Sequence, residues 1–198
     1  MPSSTSLAEE GLSARRNSHH MLLDEAIVTR HSTRLFLPKP AALKTTVSSG
    51  AAPNIPALPE KFRHSRSELG RLIYGDGWGI QRGDSEAQRK AVLRNFEFFG
   101  APVGVIVCMS KELPGVAAMS VGMYLQTFLL ALTELGVGSC VQVSIAGYRD
   151  LVRKELGVAE DLEILCGVSV GYEDADFNVN KVRIGRYGVE DTTVFVKD

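Results

Sequence analysis

A long apolar segment, Ser120 to Leu135, dominates the hydrophobic pattern of this chain. Its polar exceptions are Gln126, Thr127, Thr133 and Glu134. The pattern predicts a helix that lacks the polar half of an ordinary surface helix, so most of its sides must be covered. At about 1.5 Å of rise per residue it is roughly 24 Å long, and it lies among charged segments, which argues against a membrane span. We therefore expect the helix to lie in the core or at a subunit interface.

Short runs rich in β-branched residues predict the strands. Gly136 suits the left-handed position at a helix end, and residues 137–143 after it are expected to form a strand against which the long helix packs. Residues 102–109 form an apolar run that suits a buried strand. Residues 163–172 predict a further strand, and residues 192–196 predict a last one.

Four other segments carry helical signals. Residues 21–30 have apolar positions at helical spacing, and residues 59–74 begin with a proline, which is favoured in the first turn. Asp84 or Ser85 would cap the next helix, which runs through Phe99. A short helix follows at residues 148–156. The glycine-rich residues 75–83 between the second and third helices predict a loop that could cap a substrate pocket.

Composition describes a globular protein with no bulk attraction to polyanions. The 198 residues suit one domain, the hydrophobic fraction is 44%, and 22 basic against 23 acidic side chains give a net charge of −1. We therefore expect no nucleic-acid and no membrane partner. Residues 1–20 are rich in serine and lack an apolar segment, so we expect a disordered cytoplasmic leader, followed by a single domain over residues 21–198.

The three cysteines do not predict a disulfide framework or a metal site. Cys108, Cys140 and Cys166 are odd in number, widely spaced, and each lies in or beside an apolar β-like run. Buried reduced thiols are the prediction, and no metal ligand set is expected.

Basic and hydroxyl side chains are concentrated between Arg30 and Arg34, in the segment Arg-His-Ser-Thr-Arg at the end of the first predicted helix. Guanidinium groups bind phosphate oxygens in a bidentate way, and hydroxyls add donors, so the segment is a candidate anion site. Basic residues near a helix C-terminus are also explained by the helix dipole alone. Spacing by itself leaves both interpretations open.

Residues 26–36, AIVTRHSTRLF, resemble the opening signature of the FMN-dependent nitroreductase family, a helix and loop that end in Arg-x-Ser-x-Arg or Arg-x-Ser-x-Lys. The resemblance resumes near Arg94 and includes the long helix, Gly-x-Gly-Ser-Cys after it, and Asn-Lys-x-Arg-x-x-Arg near the C-terminus. It implies an α+β nitroreductase-like sandwich, with a central mixed sheet flanked by helices. It also implies a homodimer with FMN at the subunit interface and a C-terminal arm that reaches the partner.

The resemblance also implies the cofactor-binding residues. They are Arg30, His31, Ser32, Arg34, Asn95, Gln142, Val143, Arg183 and Arg186. Arg30, Ser32, Arg34 and Arg186 would anchor the phosphate and ribityl chain, with Arg183 as a further candidate. Asn95 would offer an amide to the flavin, and the backbone near Gln142 and Val143 would donate an N–H to its N5.

Residues 41–59 depart from the family pattern. They are small residues and prolines without periodicity, where the family would have a helix, a Pro-Ser-x-x-Asn-x-Gln-Pro-Trp motif and a strand. The only tryptophan of the sequence, Trp78, lies in a glycine-rich segment that does not match this motif. We interpret the difference as an internal deletion around residues 41–53 that removes one strand and part of the cofactor wall.

Two functions follow from the resemblance. The first is an FMN oxidoreductase that passes hydride from NADH or NADPH to a nitroaromatic, quinone or similar electron-poor acceptor, with no side chain acting as catalytic acid, base or nucleophile. The absence of a GxGxxG fingerprint fits a nicotinamide cofactor bound as a transient substrate. The second is a non-catalytic dimerising remnant that has lost FMN through the deletion.

Overall fold

The computed structural model describes Ala26, Ile27, Arg30, Ser32 and residues 57–196. The predicted leader, His31, Arg34 and the proposed deletion at 41–53 therefore lie outside the described residues. Ala26 and Ile27 are helical, and the backbone N–H of Arg30 donates to the Ala26 carbonyl at 3.0 Å. These contacts agree with the helix predicted over residues 21–30 at the positions that are described.

The rest of the described chain consists of α-helices, three strands and short 3-10 and π-helical segments. The helices are α1 (Arg63–Gly70), α2 (Ser85–Leu93), α3 (Ala118–Glu134), α4 (Val143–Ala146), α5 (Arg149–Leu156), α6 (Asn178–Lys181) and α7 (Val189–Thr192). The strands are β1 (Val103–Ser110), β2 (Gly138–Gln142) and β3 (Leu162–Gly171). Short 3-10 helices lie at Glu60–Phe62, Arg94–Gly100 and Gly115–Ala117, and a π-helix continues α1 over Arg71–Gly77.

The sheet has the order β1-β3-β2, and both neighbouring pairs are antiparallel. An isolated parallel bridge joins Ser32 to Ser139 at the outer edge of β2. At this bridge the chain runs parallel to β2, whereas both strand pairs of the described sheet are antiparallel. The bridge also carries Arg30, two residues earlier, to the edge of the sheet.

A β-bulge redirects the side chains of β3. Val107 pairs with Cys166, but the next residue, Cys108, pairs with Ile164, so Leu165 is an extra residue in β3. Without the bulge, alternation would place Ile164 and Cys166 on the same face. Instead, Ile164 belongs to a hydrophobic cluster with Phe96, Phe98, Ile145 and Val152, whereas Cys166 belongs to a second cluster with Leu129, Val168 and Val170. The sheet thus separates two cores.

Helix α3 confirms the predicted helix, but the described part of this chain covers only one of its faces. Leu129 is buried, and Leu125, Phe128 and Leu132 pack against the second cluster. Met119, Met123 and Tyr124 on the outer side are 65–69% exposed. By length and composition alone, Gly115–Glu134 would suit a membrane span, a test that core helices of soluble proteins also pass. The helix packs one face on the sheet and leaves the other open.

The caps follow the sequence closely. The carboxylate of Asp84 accepts a hydrogen bond from the Ala87 N–H at 2.9 Å, as expected of an N-cap residue. Gly136 and Gly157 end helices α3 and α5 with φ of 69° and 66°, in the left-handed region that glycine adopts without strain.

Several predicted boundaries were wrong. The predicted strand at residues 192–196 is absent: Thr192 ends helix α7, and residues 193–196 pair with no described strand. Strand β2 stops at Gln142, because Val143 starts a helix. The loop predicted from Gly75 begins later, since the π-helix extends to Gly77, and the helix predicted through Phe99 changes to 3-10 geometry at Arg94.

The three thiols are free in the structure. Cys140 and Cys166 are buried, as predicted, and Cys108 is half-buried on β1. Burial raises the pKa of the Cys108 and Cys166 thiols, because an apolar environment disfavours the thiolate.

Candidate functional site

A cleft of about 1410 Å³ opens on the side of the sheet that carries the phenylalanine-rich cluster. Its floor is the end of β2 and the start of α4, from Cys140 to Ser144. Helix α2 supplies a second wall, and Asn95 in the following 3-10 turn lies between the two. The cleft therefore brings together three of the predicted cofactor-binding residues, Asn95, Gln142 and Val143.

The π-helix forms the opposite wall. Its wide turns are recorded in the hydrogen bonds from the Trp78 N–H to the Ile73 carbonyl at 2.9 Å and from the Ile80 N–H to the Tyr74 carbonyl at 2.8 Å. A Cβ on Gly77 would lie 3.0 Å from the Val179 Cα, so this wall can pack on α6 only through glycine. The Trp78 ring packs edge-on against Phe177, with 5.0 Å between centroids. Such π-helical segments are rare and are found frequently at functional sites.

A buried hydrogen-bond network supports the floor of the cleft. Gln142, which is 2% exposed, donates from Nε2 to the carbonyl of Asn95 at 2.6 Å. Ser169 of the central strand is fully buried and donates from Oγ to Gln142 Oε1. Ser144 Oγ donates to Asn95 Oδ1 at 3.0 Å, and Asn95 Nδ2 donates to the Val92 carbonyl at 2.9 Å.

Two backbone carbonyls determine the orientation of both side-chain amides. The carbonyl oxygens of Asn95 and Val92 can only accept, so the atoms that face them must be the Gln142 and Asn95 amide nitrogens. Ser169 and Ser144 must then act as donors to the two amide oxygens. At the cleft surface, this leaves the second amide hydrogen of Asn95 as a donor and the lone pairs of Ser144 Oγ as acceptors. The wall can therefore recognise a ligand edge that carries an acceptor beside a donor.

Arg30 and Arg186 approach each other although 155 residues of sequence separate them. Burial lowers the pKa of Arg30, the positive charge of Arg186 lowers it further, and the Cys140 thiol acts in the opposite direction. None of the ion pairs between described residues includes either arginine. Two like charges held together without a carboxylate between them favour an anion. Cys140 lines the cleft, so Arg30 lies near its floor, although neither arginine is among the described residues that line the cleft.

Arg183 contacts backbone carbonyls and lines a second pocket. Its guanidinium donates to the carbonyls of Asn180 and Val182, at 2.6 and 3.2 Å. It lines a smaller pocket of about 320 Å³ together with Lys181 and Asp76. Arg186 donates to the carbonyls of Ile184 and Gly185 at 3.2 and 3.3 Å. Of the described residues, no group of three or more His, Cys, Asp or Glu side chains could hold a metal ion.

Comparison with known proteins assigns the family. A sequence model of the nitroreductase family matches residues 58–172, more than half of the chain. The chain belongs to the nitroreductase family. The match covers the π-helix, the cleft wall, the long helix α3 and the whole described sheet, whereas Arg30 and Arg186 lie outside it.

Named members of the family show the extent of the similarity. The 4-nitrobenzoate reductase of Pseudomonas putida is 34% identical over 139 residues, which are 70% of this chain and 61% of that protein. The chloronitrobenzene nitroreductase of Comamonas testosteroni is 30% identical over 171 residues, 86% of this chain and 73% of that protein. The chain thus spans less than two thirds of the length of the Pseudomonas putida nitroreductase.

The nitroreductase fold is also recognised in solved structures. The FMN-dependent nitroreductase NfnB of Mycobacterium smegmatis, solved in complex with NADPH, superimposes with a TM-score of 0.78 at 26% identity. The superposition covers 88% of this chain and 97% of that one. The α+β nitroreductase-like fold expected from the sequence is therefore confirmed.

Sequence reasoning missed the supporting residues of this nitroreductase site. The sequence predicts Ser169 only as part of the strand at residues 163–172, and it predicts no role for Ser144. A signal was present, because Ser169 is a polar residue between Val168 and Val170 in a run otherwise suited to burial, and a buried hydroxyl requires a partner. Its partner, Gln142, could not be named without the pairing of β2 and β3.

Proposed function

We propose that this chain is an FMN-dependent oxidoreductase that takes hydride from NADH or NADPH and passes it to a nitroaromatic, quinone or similar electron-poor acceptor. The observation that carries the proposal is the approach of Arg30 to Arg186 beside the cleft floor. A phosphate suits this place, because guanidinium groups are the preferred partners of phosphate oxygens and the pair has no carboxylate among the described residues.

The residues present fit FMN in two further respects. The donor of Asn95 and the acceptor of Ser144 are adjacent on the cleft wall, and the flavin pyrimidine edge carries alternating acceptors and donors. Val143 leaves the ladder with β3, so its backbone is positioned to approach a ligand instead of a neighbouring strand. Arg30, Ser32 and Arg186 would hold the phosphate and ribityl end, and Asn95, Gln142 and Val143 the ring.

The role of the protein in catalysis would be positioning. When bound, FMN supplies the two-electron chemistry of both half-reactions. Gln142 and Val143 would hold the ring at the cleft floor, and Asn95 and Ser144 would orient its polar edge. No described side chain is required as a general acid, base or nucleophile. The cysteine beside Arg30, Cys140, is buried and would serve in packing.

We also propose that the working form is a homodimer. Helix α3 exposes Met119, Met123 and Tyr124, and residues 194–196 near the C-terminus are 69–89% exposed although all three are apolar. Exposed apolar patches of this kind mark protein–protein interfaces. A second copy that covers the outer side of α3 would give the helix the burial that its composition requires.

The proposed function is tested by the colour of the purified protein. We expect it to bind FMN on purification or after reconstitution, to lose the flavin absorbance anaerobically on addition of NADPH or NADH, and to regain it with a nitroaromatic or a quinone. A protein that remains colourless after incubation with FMN would instead support the non-catalytic dimerising remnant, which the proposed deletion at 41–53 motivates.

A further inference from the structure

Arginines surround the mouth of the cleft in a protein whose net charge is only −1. The charged side chains that line it are Arg63, Arg66, Arg71, Arg82 and Glu68. They come from α1, the start of the π-helix and the loop before α2, so they line one cleft instead of forming a single solvated helix face. The cleft therefore has a positive local potential that the whole molecule lacks.

Two of the four arginines already have carboxylate partners. Arg63 forms an ion pair with Glu60 at 2.5 Å, and Arg71 forms one with Asp76 at 2.9 Å. In the described part of the chain, no ion pair includes Arg66 or Arg82. These two exposed guanidinium groups keep their full donor capacity toward a ligand.

Aromatic and apolar groups of the same cleft suit the body of such a ligand. Tyr74, Trp78 and Phe99 line the cleft, and Val143, which also lines it, is 59% exposed. Phe99 has a positive φ of 53°, which costs free energy for a non-glycine residue and is maintained here by burial. A planar ring between these groups would have its substituents at the arginine-lined mouth.

We propose that Arg66 and Arg82 bind the anionic substituent of the electron acceptor and thereby make aromatic acceptors that carry a carboxylate the preferred substrates. This inference rests on the proposed function, because it concerns the acceptor of that reaction. A bidentate contact between guanidinium and carboxylate orients the ring as well as attracting it, so the substituent para to the carboxylate points into the cleft.

Trp78 provides a readout that does not depend on turnover, since it is the only tryptophan in the chain and lines the cleft. We would titrate the purified full-length protein with 4-nitrobenzoate and with its neutral near-isostere 4-nitrobenzamide, and follow the quenching of Trp78 fluorescence. The comparison is repeated with Arg66→Gln, Arg82→Gln, the double variant, and Lys154→Gln, which removes a charge from exposed α5 outside the cleft.

For 4-nitrobenzoate we expect the dissociation constant to rise about threefold in each single variant and about tenfold in the double variant, as for partly exposed ion pairs. The constant for 4-nitrobenzamide should stay unchanged throughout, and Lys154→Gln should match the unmodified protein with both ligands. Added salt should weaken binding of 4-nitrobenzoate only where the two arginines are present.

The proposal would be overturned if the variants raised the dissociation constants of both ligands equally, or left the constant for 4-nitrobenzoate unchanged. A second arm measures the half-reactions separately by stopped flow. If the double variant slows reduction by NADPH relative to NADH but leaves reoxidation by 4-nitrobenzoate unchanged, the arginines bind the phosphate of the donor, and the proposal is wrong. A colourless protein that still distinguishes the two ligands would refute the proposed function while it supports the anion site.

Discussion

Ser169 Oγ donates a hydrogen bond to Gln142 Oε1 between the central strand and its neighbour, in a part of the core where both side chains are at most 2% exposed. The bond holds the Gln142 amide so that its nitrogen faces the carbonyl of Asn95. A buried hydroxyl of the central strand thus fixes the amide orientation of Gln142, which itself lines the cleft.

Replacing Ser169 with alanine should destabilise the protein and weaken FMN binding together. The substitution leaves Gln142 Oε1 buried without a donor, which costs about 1–3 kcal/mol. Urea unfolding measures the stability, and flavin absorbance after gel filtration measures retention. Ser110→Ala is the control, because that hydroxyl accepts only a 3.3 Å bond from the Glu112 N–H in an exposed turn. Equal unfolding midpoints for the two variants would contradict the role of Ser169.

Gly167 should not tolerate a side chain. It pairs with Gln142 across the sheet, and a Cβ at this position would lie 2.8 Å from Ile145 Cγ1, whose side chain is fully buried. We expect Gly167→Ala to lower the free energy of unfolding by about 1–3 kcal/mol. Gly115→Ala is the matched control, since its Cβ would meet nothing within 4 Å. Thermal unfolding of both variants checks the prediction, which fails if their midpoints agree.

The two clustered arginines should affect cofactor binding and apoprotein stability in opposite directions. Arg186→Gln removes a charge that lowers the pKa of Arg30, so the apoprotein should be no less stable than before. FMN affinity should fall about tenfold or more, because a charge-assisted bond to phosphate contributes about 1.5–3 kcal/mol. Arg30→Gln should behave alike, whereas Lys154→Gln should leave FMN affinity unchanged. Equilibrium titration with FMN provides the constants, and undiminished affinity in both arginine variants would refute the phosphate site.

A charge on the outer side of α3 should dissociate the proposed homodimer. Met123 is 65% exposed in one protomer, and a lysine there would have to be buried without a partner in the interface. We expect Met123→Lys to halve the mass measured by light scattering. Leu156→Lys is the control, because it adds the same charge to an apolar residue of α5 that is 49% exposed. A monomeric unmodified protein, or a dimer that survives Met123→Lys, would contradict the proposed interface.

Stability should decline at alkaline pH through Cys166. Burial raises the pKa of this thiol, and the neighbouring Cys108 acts in the same direction. The folded state therefore favours the protonated form. Its contribution is complete below the ordinary thiol pKa of about 8.5 and is lost as the pH rises toward the higher folded value. Urea unfolding at neutral and alkaline pH should show this decline, and Cys166→Ala should reduce it. An identical decline in the variant would assign the effect to other groups.

Helices, strands and caps could be predicted from the sequence wherever a few neighbouring residues determine the local structure. The cap at Asp84, the left-handed glycines at the ends of α3 and α5, and strands β1, β2 and β3 follow from side-chain chemistry over a few residues. Residues 192–196 were misread because β-branched composition favours a strand only if another strand is available to pair with it. Here the chain has no described neighbour at that position.

The candidate site required information that no local pattern contains. Family resemblance pointed to Arg30 and Arg186, but a separation of 155 residues says nothing about distance until the sheet and the Ser32–Ser139 bridge are formed. In the sequence, Arg66 belongs to the helix predicted at residues 59–74 and Arg82 to the loop predicted at residues 75–83. Only the turn of the π-helix brings both to the mouth of one cleft.

The sequence by itself determined the family, the helix and strand types of the main elements and the need to cover the apolar side of α3, because these depend on periodicity, caps and motifs over short stretches. The tertiary structure alone decided which buried hydroxyl orients Gln142, which face of β3 each side chain takes after the bulge, and which arginines keep free donors. Those outcomes depend on pairing and register between distant segments. A one-residue shift in register, for example, moves every side chain of a strand to the opposite face of the sheet.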